Sequence, residues 1–213
     1  MKISCGEKAL PNSQQFKPTY VLIALNVLFY IYTSIEGGSF LNTSGDMIWL
    51  YGQVNALVIS NGQYYQLLTS MFVHANIAHL AGNMLFLLIF GLRGEEMFSL
   101  PEFISIYFLG GLTGNLLSLL LLPPNVPSVG ASGAIFAIFG AAVIYTRRSF
   151  RQSIIGALIY AFFLLFLSSG GQSVNNFAHI GGLATGLVIG YVLATRREPH
   201  ARYSVRYSYS PFP

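Results

Sequence analysis

Charged residues are scarce in this chain. Asp, Glu, Lys and Arg make up 8% of its 213 residues, whereas 54% are hydrophobic. A typical soluble domain contains roughly 25% charged residues. This shortage excludes an ordinary soluble domain and indicates a membrane protein. The length allows about six spans of roughly 20 apolar residues with short loops, and no second soluble domain.

Cysteine is also nearly absent. Cys5 is the only one, which excludes an internal disulfide and a thiolate metal cluster. The N-terminal residues lack the compact basic-then-apolar pattern of a cleaved signal peptide, so we expect the first span to be retained. The net charge of +4 does not indicate nucleic acid as a partner, because the charges lie near the ends of apolar stretches or in the tails.

Apolar residues are concentrated in six stretches. The second starts near 74–79 and ends near 93, and the approximate bounds of the others are 19–35, 103–122, 132–146, 153–167 and 179–195. They predict an all-α polytopic membrane protein with six transmembrane helices. We expect a cytoplasmic segment over 1–18, a membrane domain over 19–195 and a cytoplasmic, disordered tail over 196–213.

The first outer loop, 36–66, is too long for a tight turn. It contains Trp49, Tyr51, Tyr64 and Tyr65, whose amphipathic rings favour the level of the lipid headgroups. We therefore expect an interfacial element on the outer leaflet rather than a disordered loop.

The basic residues determine the orientation. All 11 Lys and Arg residues precede the first stretch, follow the second or sixth, or lie between the fourth and fifth. With six spans, all of them fall on one side. The positive-inside rule then makes both termini cytoplasmic and indicates a multi-pass protein of the cell membrane. Five or seven spans would scatter the charges over both sides.

Three polar residues lie at one depth in this arrangement. Ser132, His79 and His179 each precede the arginine that follows their stretch by 14 to 17 residues. At about 1.5 Å per residue, each lies roughly 21–26 Å above the cytoplasmic boundary. The hydrocarbon core is about 30 Å thick, so they lie a few ångströms below the outer surface. His74 lies above them, and Asn83 lies one turn below His79.

Each of these residues also has a purely structural interpretation. A serine among small residues often serves helix packing. His74 and His79 are candidates for interfacial anchors, and Asn83 for a hydrogen bond between helices. A histidine in the membrane is costly, however, and usually has a function. The common depth favours one shared site, because independent packing residues need not agree.

This set of residues favours acyl transfer. A serine hydroxyl is a poor nucleophile until a base accepts its proton, and His179 is the natural base for Ser132. Donors must meet the negative charge that develops on an attacked carbonyl, and those available are His79, Asn83 and the backbone N–H of Ser132. Two glycines that flank the serine would let a substrate backbone approach closely: Gly130 and Gly133.

A third catalytic member and a metal site are not indicated. The only acids on the outer side are Glu36 and Asp46 in the first outer loop, so a Ser-His dyad is favoured over a triad. His74 and His79 are five apart, not the four of a zinc helix motif, and no Glu lies between them. A haem held by two histidines has no further support. We expect no metal and no cofactor.

Three strings resemble the rhomboid intramembrane serine proteases of the prokaryotic six-span type. His74, His79 and Asn83 match the family's His, His, Asn spacing on the second span. The segment 130–133 matches its Gly-x-Ser-Gly nucleophile motif, and 178–186 matches Ala-His-x-x-Gly-x-x-x-Gly. Their order and spacing together are far more specific than any one string.

The resemblance implies a rhomboid-like helical bundle and assigns roles to the residues. Ser132 is the nucleophile and His179 the base, while His79, Asn83 and the Ser132 amide stabilise the oxyanion. His74 lies nearby in the active-site cavity. The implied substrates are single-span membrane proteins, cleaved within or near their transmembrane segments. A non-catalytic membrane protein of the same fold that binds clients is the alternative.

Substrate entry is expected beside the fifth stretch. The resemblance implies sideways entry past this helix, under the loop 168–176. That loop is rich in Ser, Gly and Asn and should be mobile, because few apolar contacts would hold it. Three bulky residues of the fifth stretch are the expected gate against the second helix: Phe162, Phe163 and Phe166.

The chain departs from the family pattern at two places. The family often has Trp-Arg eight to nine residues before the first histidine, where this chain has Tyr65 and Gln66. This departure concerns the hydrogen bonds that fix the first outer loop, not the chemistry. The best-known members have a Tyr packed on the catalytic histidine, where Phe136 keeps the ring in the cavity and lacks the hydroxyl.

Overall fold

The computed structural model describes residues 17–149 and 174–196. Within these residues the regular secondary structure is helical, apart from two isolated β-bridges. The helices are α1 (Pro18–Glu36), α2 (Gly45–Tyr51), α3 (Asn55–Ser60), α4 (Gln66–Thr69), α5 (Ile77–Met97), α6 (Leu100–Leu121), α7 (Ser132–Ser149) and α8 (Asn176–Arg196). The prediction of an all-α bundle is confirmed.

Four of the described helices are long and apolar enough to cross a membrane. They are α1, α5, α6 and α8, with mean hydropathies of 1.5 to 1.7, and α7 contains a shorter apolar segment. The burial pattern of α1 is the reverse of that of a soluble protein. Leu28 and Ile35 are exposed, whereas Asn26 and Thr33 are fully buried. Apolar side chains outside and polar ones inside suit a helix surrounded by lipid.

The predicted stretches agree with the helices to within a few residues. The second was expected to start between 74 and 79, and its helix begins at Ile77 because Asn76 caps it, its side-chain oxygen accepting a hydrogen bond of 2.8 Å from His79 N. His74 therefore precedes the helix. The fifth stretch, most of the segment 1–18 and nearly all of the tail lie outside the described residues, so the six-span count and the domain boundaries stay predictions.

Small residues let α7 and α8 approach each other closely. A methyl group at Gly182 would lie 2.0 Å from the carbonyl oxygen of Gly133, and one at Gly186 would lie 2.0 Å from that of Ala137. Such distances leave room for glycine only. Ala178, Gly182, Gly186 and Gly190 are buried on α8 at a spacing of four residues. This glycine stripe is a packing surface, and it brings the start of α8 against the start of α7.

The first outer loop is folded, and it contacts both segments that lead into α5 and α7. Thr43 N donates to Ala75 O at 2.9 Å, which holds the loop to the segment before α5. Gln53 and Ser128 exchange two backbone hydrogen bonds of 2.9 Å, which hold it to the segment before α7. Its location on the outer leaflet stays a prediction.

Candidate active site

Ser132 is the first residue of α7, and Gly130 shapes the turn before it. Gly130 has φ = +124°, a conformation that glycine adopts readily and other residues rarely do. Its N–H donates to Ser70 O at 2.9 Å. A methyl group here would lie 3.0 Å from His79 Nε2 and 3.8 Å from Ser132 Oγ. Glycine therefore keeps the space between these two side chains open.

His179 lies within hydrogen-bonding distance of Ser132. Its Nε2 is 2.8 Å from Ser132 Oγ, and its side chain is buried. The ring of Phe136 stacks on the His179 imidazole, with centroids 4.6 Å apart and an angle of 29° between the planes. The two helices thus bring a hydroxyl and an imidazole together, and an aromatic ring one turn along α7 supports the imidazole.

His79 and Asn83 line the same cavity as this pair. The cavity has a volume of about 570 Å³, and its walls include Ser132, His179 and Phe139. His79 Nδ1 faces the Ala75 N–H across a long 3.4 Å contact. If Nδ1 accepts this bond, the proton is on Nε2, which is the nitrogen nearer Gly130.

Asn83 is held by its own helix. Its Nδ2 donates to His79 O at 3.0 Å. An amide nitrogen has two hydrogens, so this bond leaves one available. Asn83 and His79 both belong to the first two turns of α5, so the helix fixes them relative to each other.

His74 lies beside His79 in the segment that leads into α5. It is fully buried, its ring centroid is 5.1 Å from that of His79, and it is not among the described residues that line the cavity. Its Nδ1 is 3.2 Å from Phe72 O. Burial, with a smaller contribution from the neighbouring His79, lowers the pKa of His74 to about 3, so the ring is neutral. It packs behind His79.

Gln66 fixes the first outer loop, where the family pattern has Arg. Its side chain is fully buried. Its Oε1 accepts from Val54 N at 2.9 Å, and its Nε2 donates to Trp49 O at 2.9 Å and to Gln63 Oε1 at 3.0 Å. The neighbouring Tyr65 donates to Leu50 O at 3.1 Å. A neutral amide thus links α2 to the start of α3 without a charge.

Several residues that position the site were missed from the sequence. Asn76 caps α5, and Ser128 pairs with Gln53 ahead of Ser132. A polar residue directly before an apolar stretch is a signal for a helix cap, so the role of Asn76 was open to prediction. The contact between Gln53 and Ser128 joins residues 75 positions apart, and no local pattern indicates it.

Gly133 and the three predicted gate residues are the remaining candidates for the site. Gly133 follows Ser132 in α7 and packs against α8, where a methyl group would lie 3.1 Å from Ala178 O. The predicted gate residues Phe162, Phe163 and Phe166 lie outside the described residues. Within residues 17–149 and 174–196, no three His, Cys, Asp or Glu side chains are close enough together to hold a metal ion.

The sequence of the chain is similar to those of several known proteins. The chain is 37% identical over 180 residues to the rhomboid protease GluP of Bacillus subtilis (strain 168), which covers 81% of this chain and 34% of that protein. It is 37% identical over 141 residues to RHOMBOID-like protein 6, mitochondrial, of Arabidopsis thaliana, covering 64% of this chain and 46% of that protein.

A third relative is covered more fully. The chain is 34% identical over 194 residues to Rhomboid-like protease 3 of Toxoplasma gondii, covering 87% of this chain and 73% of that protein. The first two relatives, by contrast, are matched over only about a third to a half of their length. The family model of the Rhomboid domain matches residues 61–196, which is more than half of the chain. The chain therefore belongs to the rhomboid family and is a multi-pass membrane protein.

Proposed function

We propose that the chain is an intramembrane serine endopeptidase with a Ser-His dyad. The observation that carries this proposal is the 2.8 Å contact between Ser132 Oγ and His179 Nε2. It lies in a cavity lined by α5 and α8, which are long and apolar enough to cross a membrane, and by the shorter apolar helix α7. Relatives named as proteases, from Bacillus subtilis and Toxoplasma gondii, add support.

The proposed reaction has two stages, acylation of Ser132 and hydrolysis of the acyl-enzyme. In each stage His179 first accepts a proton and then donates it. It takes the proton of Ser132 as Oγ attacks the peptide carbonyl, then gives it to the leaving amine as the C–N bond breaks. The product is an acyl-enzyme ester on Ser132. Water attacks this ester with His179 again as the base, and the proton returns to Oγ as the acid product leaves.

The oxyanion of each tetrahedral intermediate would be met by three donors. They are the N–H of Ser132, the Nε2–H of His79 and the free amide hydrogen of Asn83. Ser132 opens α7, so its N–H has no carbonyl partner within the helix, and the positive end of the helix favours negative charge there. Fixed donors in a site that excludes water stabilise developing charge more strongly than water does.

The segment before Ser132 offers an edge for an extended substrate. Ser128 turns its backbone N–H and C=O towards Gln53. Where extended backbone continues past such a pair, the next residue directs these groups to the opposite side, which for Val129 would be the side away from Gln53. Val129 lines the cavity. A substrate strand that pairs with Val129 would bring a peptide carbonyl to Ser132 through main-chain bonds.

The proposed substrates are single-span membrane proteins, cut within or near their transmembrane segments. We place both termini, with the segments 1–18 and 196–213, in the cytoplasm, and the cavity mouth on the extracytoplasmic side of the cell membrane. Phe162, Phe163 and Phe166 would form the entry gate with the loop 168–176. The bilayer supplies the substrate laterally, so no soluble carrier is needed.

A fluorophosphonate probe tests the proposal directly, because it labels only an activated serine. The purified protein in detergent should take up one probe per chain on Ser132. The Ser132→Ala and His179→Ala variants should remain folded and unlabelled. If the wild-type protein stays unlabelled while it still binds single-span proteins, it is a client-binding member of the family instead.

A further inference from the structure

Asn175 uses its whole side-chain amide in four hydrogen bonds. The oxygen accepts from Phe177 N at 3.1 Å and from Ala178 N at 3.2 Å. The nitrogen donates to Ser118 Oγ and to Ser128 Oγ, both at 2.7 Å. Two backbone N–H groups can only donate, so they fix which end of the amide is the oxygen. No hydrogen-bonding position of this amide is left over.

The two ends of this amide bond to the two segments that carry the members of the candidate dyad. Its oxygen caps the first turn of α8, and His179 is four residues further along that helix. Its nitrogen holds Ser128, which is four residues before Ser132 and is buried. Ser128 is itself fixed by its backbone pairing with Gln53. One side chain therefore joins the helix of the base to the segment of the nucleophile.

We propose that Asn175 is a positioning residue that sets the hydrogen bond between Ser132 and His179. This inference rests on the proposed function. The glycine stripe lets α7 and α8 approach closely. The bond from Asn175 to Ser128 adds a directional contact at the end of the bundle where the dyad lies. A misplacement of about 1 Å in a reacting group costs about 10²-fold in rate.

A plain helix cap would explain only half of these contacts. Ser caps a helix about as well as Asn, but its single hydroxyl is too short to cap α8 and to reach Ser128 as well. Asn175→Ser therefore keeps the cap and removes the link to Ser128. Ser128→Ala removes the same link from the other side and leaves the cap intact. Ser118→Ala is the matched control, because it removes the second bond of the same nitrogen at an equally buried serine in α6.

The rate of fluorophosphonate labelling of Ser132 measures activation of the nucleophile without substrate entry. We expect Asn175→Ser and Ser128→Ala each to slow labelling by about 10-fold or more, within the range that misplacement produces. Both should lower kcat on a cleaved peptide and leave KM unchanged. The double variant should label no more slowly than the slower single variant, and Ser118→Ala should stay within about 2-fold of wild type.

Three results would overturn the inference. Labelling of Asn175→Ser at the wild-type rate would make Asn175 a helix cap only, with the dyad unaffected. Equal slowing in Ser118→Ala and Ser128→Ala, in proportion to a lowered Tm, would make the contacts a matter of general stability. Absence of labelling in the wild-type protein would overturn the proposed function as well, which separates that failure from the other two.

Discussion

Asn83 is the most informative single side chain for the oxyanion assignment. It lines the cavity, and one hydrogen of its amide is already bonded to His79 O. Losing one oxyanion donor typically costs about 10²–10³ in kcat. We expect Asn83→Ala to lower kcat by about that factor with little change in KM. Steady-state cleavage of a peptide substrate tests this, and a large rise in KM at unchanged kcat would instead make Asn83 a binding residue.

A second prediction at the scale of single residues concerns Phe136. Its ring stacks on His179 at 4.6 Å, and such aromatic contacts contribute about 0.5–1.5 kcal/mol. Phe136→Leu should therefore lower kcat by about two- to tenfold, because the imidazole loses its support beside Ser132. Phe136→Tyr keeps the ring and should retain activity close to wild type. Equal activity in the Leu variant would show that the stacking does not orient the imidazole.

The sequence predicted part of the residue-scale geometry. Counting residues from the arginines placed Ser132, His79 and His179 at one depth, which depends only on the rise of a helix. It gave no information on lateral position, so the burial of His74 behind His79 was not predicted. The two bonds that the Asn175 nitrogen donates were also missed, since their partners come from α6 and the segment before α7.

At the scale of the elements, the contact between α7 and α8 determines how close the two candidate residues lie. A methyl group at Gly186 would meet Ala137 O at 2.0 Å, and overpacking of this kind costs about 1–3 kcal/mol. Gly186→Ala should lower the Tm and the rate of Ser132 labelling together, because α8 must move away from α7. Gly45→Ala is the control, since nothing lies within 4 Å of a methyl group there. An unchanged labelling rate in Gly186→Ala would separate this packing from the chemistry.

Helix bounds were more predictable than helix contacts. Apolar runs and their flanking charges located five of the described helices to within a few residues. Within the predicted range of 74–79, the Asn76 cap, a local polar contact, determines that α5 starts at Ile77. The helices α2, α3 and α4 are only 7, 6 and 4 residues long, too short for a helical period to be recognised, and they depend on hydrogen bonds such as those of Gln66.

At the scale of the whole molecule, the first outer loop acts as a clamp, because it joins by hydrogen bonds the segments that lead into α5 and α7. Gln66→Ala would leave the buried Val54 N–H without its partner, at a cost of about 1–3 kcal/mol. The clamp should loosen, and Trp49, the only tryptophan in the chain, reports this by its fluorescence. We expect a shifted emission maximum and a lowered Tm. Asn61→Ala, at an exposed position, should change neither, and equal spectra for all three proteins would contradict the clamp.

The central claim is that Ser132 and His179 together cleave membrane-embedded protein. The most direct test is cleavage of a single-span substrate reconstituted with the protein in liposomes, followed by mass spectrometry of the products. We expect one defined cut within or near the transmembrane segment by the wild-type protein, and no cut by folded Ser132→Ala or His179→Ala. Cleavage at the wild-type rate by either variant would contradict it.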